Sequence, residues 1–225
     1  MPLKGDLINL DLDGLGAKQY RVLSMDGDVA KVVAMYDTLT SVYNSTSTEI
    51  VVSGYTVQKY ESSTLDTYLN TTWYNTLTST TKAAIVPENV VQYCYKYYGE
   101  PNTPNTPTYT YQYQYSWPSS DYENANDVGN VTVGNRNVFA LDLKDIYDYF
   151  DKVCITSDEL MTLFWNSTAK VSEYLWLRSS YADRSNSAWS VYGRNGFLDY
   201  SYVNDSSVVR PALNLNLNQV EFTVV

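Results

Sequence analysis

The order of apolar and polar residues near the start of the chain predicts a β-hairpin. Two runs that suit β-strands, residues 19–24 and 29–35, flank the pair Asp26-Gly27. An Asp-Gly pair tolerates the positive φ angles that a tight hairpin turn needs. We therefore expect the two runs to pair in an antiparallel ladder.

The pattern then changes to a helical period. Four apolar residues recur at the spacing of one helix face: Leu65, Tyr68, Leu69 and Trp73. Ser63 precedes them and Asp66 follows it by three residues, which predicts a helix N-cap at Ser63. A second short helix is predicted over residues 79–85, and Pro87 ends it because the residue before a proline disfavours helical geometry.

Two more helices are predicted in the middle of the second half of the chain. Residues 138–141 predict a strand that leads into an amphipathic helix, with its apolar positions at Leu143, Ile146, Tyr147 and Phe150. The run Thr156-Ser157-Asp158-Glu159 predicts a capping box that opens another helix through Phe164.

The last part of the chain predicts short antiparallel strands. Residues 188–192 and 197–203 flank Gly193-Arg194-Asn195-Gly196, and the Asn-Gly pair in it indicates a hairpin. In the final run Leu213, Leu215 and Leu217 alternate with asparagines, as expected for a strand with one buried face. A hairpin, then helices, then antiparallel strands give an α+β fold, with short helices packed on a twisted antiparallel sheet.

One segment differs in composition from everything around it. Residues 93–127 are rich in Tyr, Thr, Asn, Pro and Gln, with prolines at three-residue spacing at positions 101, 104 and 107. Such prolines remove donors from a helix or a central strand. The following run, residues 109–115, alternates aromatic and polar residues as a strand does. We expect an inserted arm or long hairpin that pairs with a neighbouring subunit, and hence a homo-oligomer.

Composition narrows the function classes. With 225 residues and 44% apolar residues, a single domain over residues 1–225 is the default expectation. A net charge of −10 argues against nucleic acid as a partner. No apolar run approaches the roughly 20 residues of a membrane span, so no membrane insertion is expected. Residues 1–6 also lack the basic and then apolar order of a signal peptide, which suggests a cytosolic product or a removed leader.

The 23 tyrosines and the absence of histidine bear most strongly on the class of function. Tyrosine is favoured at binding surfaces because it offers a large rigid face with a polar tip. Without histidine the chain lacks the commonest general base and the commonest transition-metal ligand. Cys94 and Cys154 are too few for a disulfide framework and are expected to be buried or half-buried thiols. We therefore predict no enzyme, no cofactor and no metal.

Four motifs resemble, in order and spacing, a family of domains without an assigned function that is common in gut bacteria and their phages. They are Ser63-Thr64-Leu65-Asp66-Thr67-Tyr68-Leu69-Asn70, Val138-Phe139-Ala140-Leu141-Asp142, Leu175-Trp176-Leu177-Arg178-Ser179 and Val209-Arg210-Pro211-Ala212-Leu213. The resemblance covers about residues 20–217. That family is similar to the formylglycine-generating-enzyme branch of the C-type-lectin fold, as in the variable receptor-binding proteins of phages.

The resemblance implies where a ligand binds. In that fold a Trp-containing strand and a closing Arg strand bracket a displayed region, which here is residues 181–207. The residues expected to contact a ligand are Tyr181, Asp183, Arg184, Asn186, Trp189, Tyr192, Arg194, Asn195, Tyr200, Tyr202 and Asn204. Trp176, Arg178 and Arg210 are expected to be framework, and Arg178 or Arg210 to pair with a carboxylate. The enzymes of the fold use paired cysteines or histidine-bound iron at the site, and this chain has neither set.

Two weaker motifs suggest calcium. Glu100-Pro101-Asn102 matches the sugar-binding tripeptide of animal C-type lectins, but it lies far upstream of Trp176, so a loop turn is the preferred interpretation. Asp11-Leu12-Asp13-Gly14 has carboxylates at alternate positions but lacks the later ligands of a calcium loop, and a solvated turn is preferred.

These observations predict a non-enzymatic surface protein of a phage virion, made in the host cytoplasm. It would be a tail or fibre receptor-binding protein or a capsid decoration, with other virion proteins and a host cell-surface glycan or protein as partners. The alternative is a bacterial cell-surface or secreted adhesin module. A third hypothesis is an enzyme with a carboxylate mechanism through Asp183 or Asp199.

Overall fold

The computed structural model describes residues 1–36, 38–95, 127–151, 155, 157–165, 174–182, 184–193 and 196–225. The strands in these ranges are β1 (Leu7–Leu10), β2 (Lys18–Asp26), β3 (Val29–Ala34), β4 (Leu39–Val42), β5 (Glu49–Val52), β6 (Tyr55–Gln58), β7 (Glu88–Tyr95), β8 (Asp127–Arg136), β9 (Tyr174–Tyr181), β10 (Ser187–Tyr192), β11 (Phe197–Tyr202), β12 (Ser206–Val209), β13 (Ala212–Asn216) and β14 (Phe222–Val224). The helices are α1 (Thr64–Thr67), α2 (Tyr74–Thr76), α3 (Ser79–Ala84), α4 (Leu143–Phe150) and α5 (Ser157–Phe164). A π-helical segment (Tyr68–Trp73) joins α1 to α2, and a 3-10 turn (Leu217–Gln219) follows β13. The fold is therefore α+β, as predicted, and mostly β.

The first sheet contains the predicted N-terminal hairpin. Its strand order is β13-β3-β2-β1-β14, and every pairing in it is antiparallel. Gly27 adopts a positive φ of 57° in the β2–β3 turn, as the Asp-Gly prediction requires. Leu213 and Leu215 are buried in β13, while Asn214 and Asn216 are half-buried, which confirms the predicted alternation. Leu217 lies just past the strand but is also buried.

The second sheet is organised around β9. Antiparallel β10 and then β11 lie on one side of it, and β12 and β4 on the other. β12 pairs in parallel with the start of β9, and β7 pairs in parallel with its end. β9 is buried along nearly its whole length because it has neighbours on both edges and packing on both faces. This makes the Trp-containing motif the centre of the sheet.

The predicted helices are present, with one unexpected geometry. The Ser63 side chain accepts from the Asp66 backbone N–H at 3.1 Å, which confirms the predicted cap. α3 covers the second predicted helix, and α4 and α5 cover the third and fourth. α4 packs on β9, α5 on β11 and α1 on β4. Apolar spacing alone did not reveal the π-helical turn after α1.

Residues 138–141 are not the predicted strand. Phe139 makes a single bridge with Ala212 in β13. The neighbouring backbone groups are satisfied by side chains, since the Val138 N–H donates to Asn70 and the Ala140 N–H donates to the Tyr60 hydroxyl. Backbone donors that are satisfied in this way need no partner strand.

The predicted arm begins and ends on two paired strands. β7 and β8 form an antiparallel ladder that extends to Tyr95 opposite Asp127. The rest of the arm, residues 96–126, lies outside the described residues. Cys94, at the end of β7, is buried in a small apolar cluster with Val52, Val57 and Ala182, as expected for a structural thiol. Cys154 and Thr156 lie outside the described residues.

Candidate functional site

The predicted display region is a hairpin with two different ends. Ser187 pairs with Tyr202 at one end of the β10–β11 ladder, and Tyr192 pairs with Phe197 at the other. A strand of six residues spans roughly 17 Å. We call residues 182, 184–186 and 202–205 the loop end, and Gly193 and Gly196, with the adjoining Tyr192, the turn end. The residues that were predicted to form one surface therefore fall on two separate patches.

An aromatic stack supports the loop end. Tyr181 and Tyr200 are stacked with ring centroids 4.4 Å apart and planes inclined by 5°. The guanidinium of exposed Arg184 lies over the outer face of Tyr200, 4.8 Å from its centroid. Tyr181 is fully buried, so the stack runs from the core to the surface. Cation–π contact with a fixed ring holds an exposed arginine flat and limits its rotamers.

Backbone hydrogen bonds fix the two loops that frame this stack. The Val203 N–H donates to the Asn186 carbonyl at 3.0 Å, which ties the second loop to the first. The Asn44 N–H donates to the Val203 carbonyl at 2.8 Å, and the buried side chain of Gln58 donates to the Ser185 carbonyl. A surface whose backbone is fixed in this way loses little entropy on binding.

The described contact residues lie in three environments: the loop end, the turn end and the core. Arg184, Asn186, Tyr202 and Asn204 are exposed at the loop end, and Tyr200 is half-buried beside them. Tyr192 is half-buried at the turn end. Asp183, Arg194 and Asn195 lie outside the described residues.

Tyr181 and Trp189 require a correction. Both are fully buried, so neither is displayed. Trp189 faces the core because its ring packs edge-on against Tyr181 at 5.4 Å and its indole N–H donates to the Tyr95 carbonyl at 3.3 Å. The hydrogen bond to Tyr95 reaches past β9 to β7, a long-range contact that alternation within the hairpin does not reveal.

The turn end carries a second, smaller aromatic group. The rings of Tyr174 and Tyr192 lie 4.8 Å apart, and the Tyr174 hydroxyl donates to the Asp199 carboxylate at 3.5 Å. Asp199 also accepts from the Tyr200 backbone N–H at 2.8 Å. Asp199, one of the two carboxylates considered for an enzyme, is therefore held by local hydrogen bonds. Its companion, Asp183, lies outside the described residues.

The three residues predicted as framework are all buried and hydrogen-bonded. The Trp176 indole N–H donates to the Ser41 carbonyl at 2.9 Å, and its ring contacts Tyr43 edge-on. Arg210 donates to the Phe164 carbonyl and lies over the Trp165 ring. These contacts join β9 to β4 and the start of β13 to the end of α5.

Arg178 is the centre of a buried ion cluster. It donates to the Asp145 carboxylate at 2.6 Å, and Asp142 lies 3.8 Å from its Nε. It also donates to the Val91 and Ala140 carbonyls at 2.8 and 2.7 Å. The expected pairing of Arg178 with a carboxylate is confirmed. Because these groups belong to β7, β9 and α4, the cluster joins three elements in the core.

The two carboxylates of this cluster have different pKa values. Burial raises the pKa of Asp142 to about 6, and the charge of Asp145 adds to this effect while Arg178 opposes it. Burial acts in the same direction on Asp145, but the charges of Arg178 and Lys31 outweigh it, so its pKa lies below the usual value. Lys31 reaches Asp145 at 3.3 Å and Glu88 at 2.8 Å. The cluster therefore holds one firmly ionised carboxylate and one that is close to protonation.

Sequence reasoning missed part of this cluster. Asp142 and Asp145 form a capping box at the start of α4, and both carboxylates accept from backbone N–H groups there. The pattern Asp-x-x-Asp before an apolar helix was visible in the sequence and is a capping signal. Lys31 and Glu88 gave no local signal, because their partners are distant in sequence.

The acidic residues of the described chain form no metal centre, and its helices are short. In the described residues, no group of three or more His, Cys, Asp or Glu side chains could hold a metal ion. Asp13 instead pairs with Lys18 and accepts from the Leu15 N–H. The tripeptide at residues 100–102 lies outside the described residues. None of the described helices is long and apolar enough to cross a bilayer.

The comparisons with known proteins give one match. Residues 37–217 match a family described as Domain of unknown function (DUF6273). This match includes β4 to β13, and so the loop end and, from the buried cluster, Glu88, Asp142, Asp145 and Arg178. No curated protein and no solved structure matched the chain.

Proposed function

Because the chain belongs to the DUF6273 family, whose function is not known, we propose from its own geometry that it is a non-enzymatic binding domain with a C-type-lectin-like fold. The loop end is the proposed contact surface. The observation that carries the proposal is the Tyr181–Tyr200–Arg184 stack, which runs from the core to an exposed guanidinium. Rigid aromatic support under an exposed polar group is typical of binding surfaces.

The lectin-like part of the proposal is supported by how the two motif strands lie. The Trp-containing strand β9 pairs with β12, which leads directly into Arg210 and Pro211. The β10–β11 hairpin lies on the other side of β9. The pair β9 and β12 would thus form the bracket, and the loops at residues 184–186 and 203–205 would be the displayed region.

The biological setting we propose is host attachment by a phage virion, with a cell-surface glycan or protein as ligand. The support is the resemblance of the four motifs to a domain family found in phages, together with a chain that lacks histidine as a general base. The partners in this proposal are other virion proteins and a further copy of the chain, through the arm at residues 93–127. Electron microscopy of particles labelled with an antibody against this chain tests the setting, and absence of label overturns it in favour of a bacterial adhesin.

The loop-end surface is tested by binding to whole host cells and to a glycan array. We expect a triple variant, Arg184→Ala with Asn186→Ala and Tyr202→Ala, to bind at least tenfold more weakly, because hot-spot residues at an interface each contribute about 1 to 2 kcal/mol or more. Tyr192→Ala, at the turn end, is the matched control and should bind like the wild type. A calcium chelator in parallel wells tests metal dependence.

Two outcomes contradict this site. If the turn-end control loses binding and the triple variant retains it, the contact surface lies at the other end of the hairpin. If the triple variant unfolds, its residues are structural. The melting temperature of each variant is therefore measured beside its binding.

A further inference from the structure

A second polar concavity lies on other elements of the fold. It is an open pocket of about 470 Å³ between the π-helical segment and the end of β8. Its walls include Ser62, Asp66, Asn70, Asn135, Arg136 and Asn137. Small-molecule sites in proteins have volumes of roughly 300 to 1,000 Å³. The pocket is therefore large enough for a small ligand, and eight of its nine lining residues are polar or charged.

A bidentate ion pair forms the wall of this pocket. The Nε and Nη2 atoms of Arg136 donate to the two oxygens of Asp66 at 2.8 and 2.9 Å. Its Nη1 donates to the Asn135 carbonyl at 3.0 Å. A guanidinium has five N–H groups. Among the described residues three of them have acceptors, so two N–H groups remain for a ligand.

The Asp66 carboxylate is held rigidly by its neighbours. It accepts from the Ser62 backbone N–H at 2.9 Å and from the Asn70 amide at 3.0 Å. Asn70 also bonds both the carbonyl and the N–H of Val138. The ion pair is thus fixed to α1, to β8 and to the segment after β8.

The backbone around the pocket is unusual at two points. Ser62 has a positive φ of 64°, which is costly for a residue other than glycine. Asn70 lies in the π-helical segment, a geometry that is rare in proteins and frequent at functional sites. Both departures place groups in the pocket: Ser62 at its rim and Asn70 against Asp66. Because the strained backbone at Ser62 and the π-helical turn at Asn70 both lie at this pocket, we interpret the pocket as a ligand site.

The charge of the pocket indicates the class of ligand. Asp66 and Arg136 neutralise each other, so the site attracts neither an anion nor a cation strongly. The amides of Asn135 and Asn137 and the two remaining Arg136 N–H groups offer donors and acceptors to a ligand. Vicinal hydroxyl groups, which donate and accept at once, match this arrangement. We propose that this pocket binds one neutral saccharide unit, independently of the loop end.

The test is a titration of the full chain, labelled with nitrogen-15, with single neutral sugars as probes. The probes are the methyl glycosides of glucose, galactose, mannose and N-acetylglucosamine, with methyl glucuronide as the charged comparison. We expect one or more neutral probes to shift the signals of side chains that line the pocket, namely the amides of Asn70, Asn135 and Asn137 and the Nε–H of Arg136. The expected Kd is in the millimolar range, which corresponds to about 4 kcal/mol. The charged probe should bind more weakly.

Variants separate the pocket from the loop end. Asn135→Ala with Asn137→Ala should reduce affinity for the neutral probe at least tenfold, because both amides line the pocket and Asn135 is exposed. The affinity of this variant is followed by the Asn70 amide and Arg136 Nε–H signals, which it retains. Asn218→Ala, an exposed asparagine elsewhere, is the control. The proposal is overturned if no neutral probe shifts these signals, if the glucuronide alone binds, or if the loop-end triple variant abolishes the shifts while the pocket variant does not.

Discussion

Arg178 and Arg184 lie close together in sequence but in opposite environments. Arg178 is buried among two carboxylates and two backbone carbonyls. Arg184 is exposed, and its guanidinium lies over the ring of Tyr200. The first arginine joins strands and a helix, whereas the second is free to meet a ligand. An arginine on β9 thus stabilises the fold, whereas an arginine just beyond the end of β9 forms part of the surface.

The largest expected effect comes from removing the buried arginine. Arg178→Met keeps the apolar stem but leaves Asp142 without its cation in the core and Asp145 with Lys31 alone. Breaking a buried ion pair in this way typically costs about 3 to 5 kcal/mol. We expect a loss of that size in the free energy of unfolding, measured by urea denaturation. Arg184→Met is the control, and equal losses for the two variants would remove the distinction between the arginines.

The second prediction concerns pH. Because burial raises the pKa of Asp142 from 3.8 to about 6, the folded state binds this proton more tightly than the unfolded chain does. Stability should therefore rise as the pH falls from 7 to 5, by about 1 kcal/mol from this group, and the full contribution of about 3 kcal/mol is reached only below the unfolded pKa of 3.8. The contribution of Asp145 to stability depends on pH in the opposite direction. Because the pKa of Asp145 is lowered in the fold, its contribution is lost as the pH falls below the ordinary carboxyl pKa of 3.8.

Substitution isolates the Asp142 contribution. Urea unfolding at pH 7 and pH 5 should show a smaller rise for Asp142→Asn than for the wild type. Asp148→Asn, which changes an exposed carboxylate on the same helix, should keep the wild-type rise. Parallel pH profiles for the wild type and Asp142→Asn would mean that Asp142 is ionised in the fold at both pH values.

Local patterns predicted the elements of the fold well, because hairpin turns and helix caps depend on residues that are neighbours in sequence. The Asp26-Gly27 turn and the Ser63 cap are examples, and both formed as expected. The partner of Arg178 was not predictable, because Asp145 is 33 residues away and the contact depends on how α4 packs on β9. The π-helical turn was also missed, since its apolar spacing resembles that of an α-helix.

The candidate site was predictable in composition but not in exposure. Trp189 and Tyr200 are a cross-strand pair, so both side chains lie on the same face of the hairpin. One is fully buried and the other half-buried. Trp189 packs edge-on against Tyr181 and donates to the Tyr95 carbonyl, whereas Tyr200 contacts Tyr181 and the exposed Arg184. Nor could the sequence separate the loop end from the turn end, because that separation depends on the register of the β10–β11 ladder.

The third prediction tests whether the stack supports the exposed arginine. Tyr200→Leu keeps an apolar side chain on the hairpin but removes the ring between Tyr181 and Arg184. We expect a loss of about 1 kcal/mol in the free energy of unfolding, since stacked aromatic pairs contribute about 0.5 to 1.5 kcal/mol beyond their buried area. Ligand binding should fall more steeply than stability does. If both fall together, or only stability falls, the stack is packing alone. Tyr192→Leu, at the turn end, is the matched control for binding.

We expect the smallest effect on stability from Arg184→Lys. This variant is also the most direct test of whether Arg184, unlike Arg178, serves binding. Lysine keeps the positive charge but cannot lie flat on Tyr200 or offer a bidentate fork. Because the residue is exposed, unfolding should change by less than about 0.5 kcal/mol. Binding to host cells should weaken about tenfold, or about 1.4 kcal/mol, if the ligand contacts the oriented guanidinium. Wild-type binding by Arg184→Lys together with lost binding by Arg184→Ala would show that only the charge matters. Wild-type binding by both variants would remove Arg184 from the contact surface and leave the stack without a functional role.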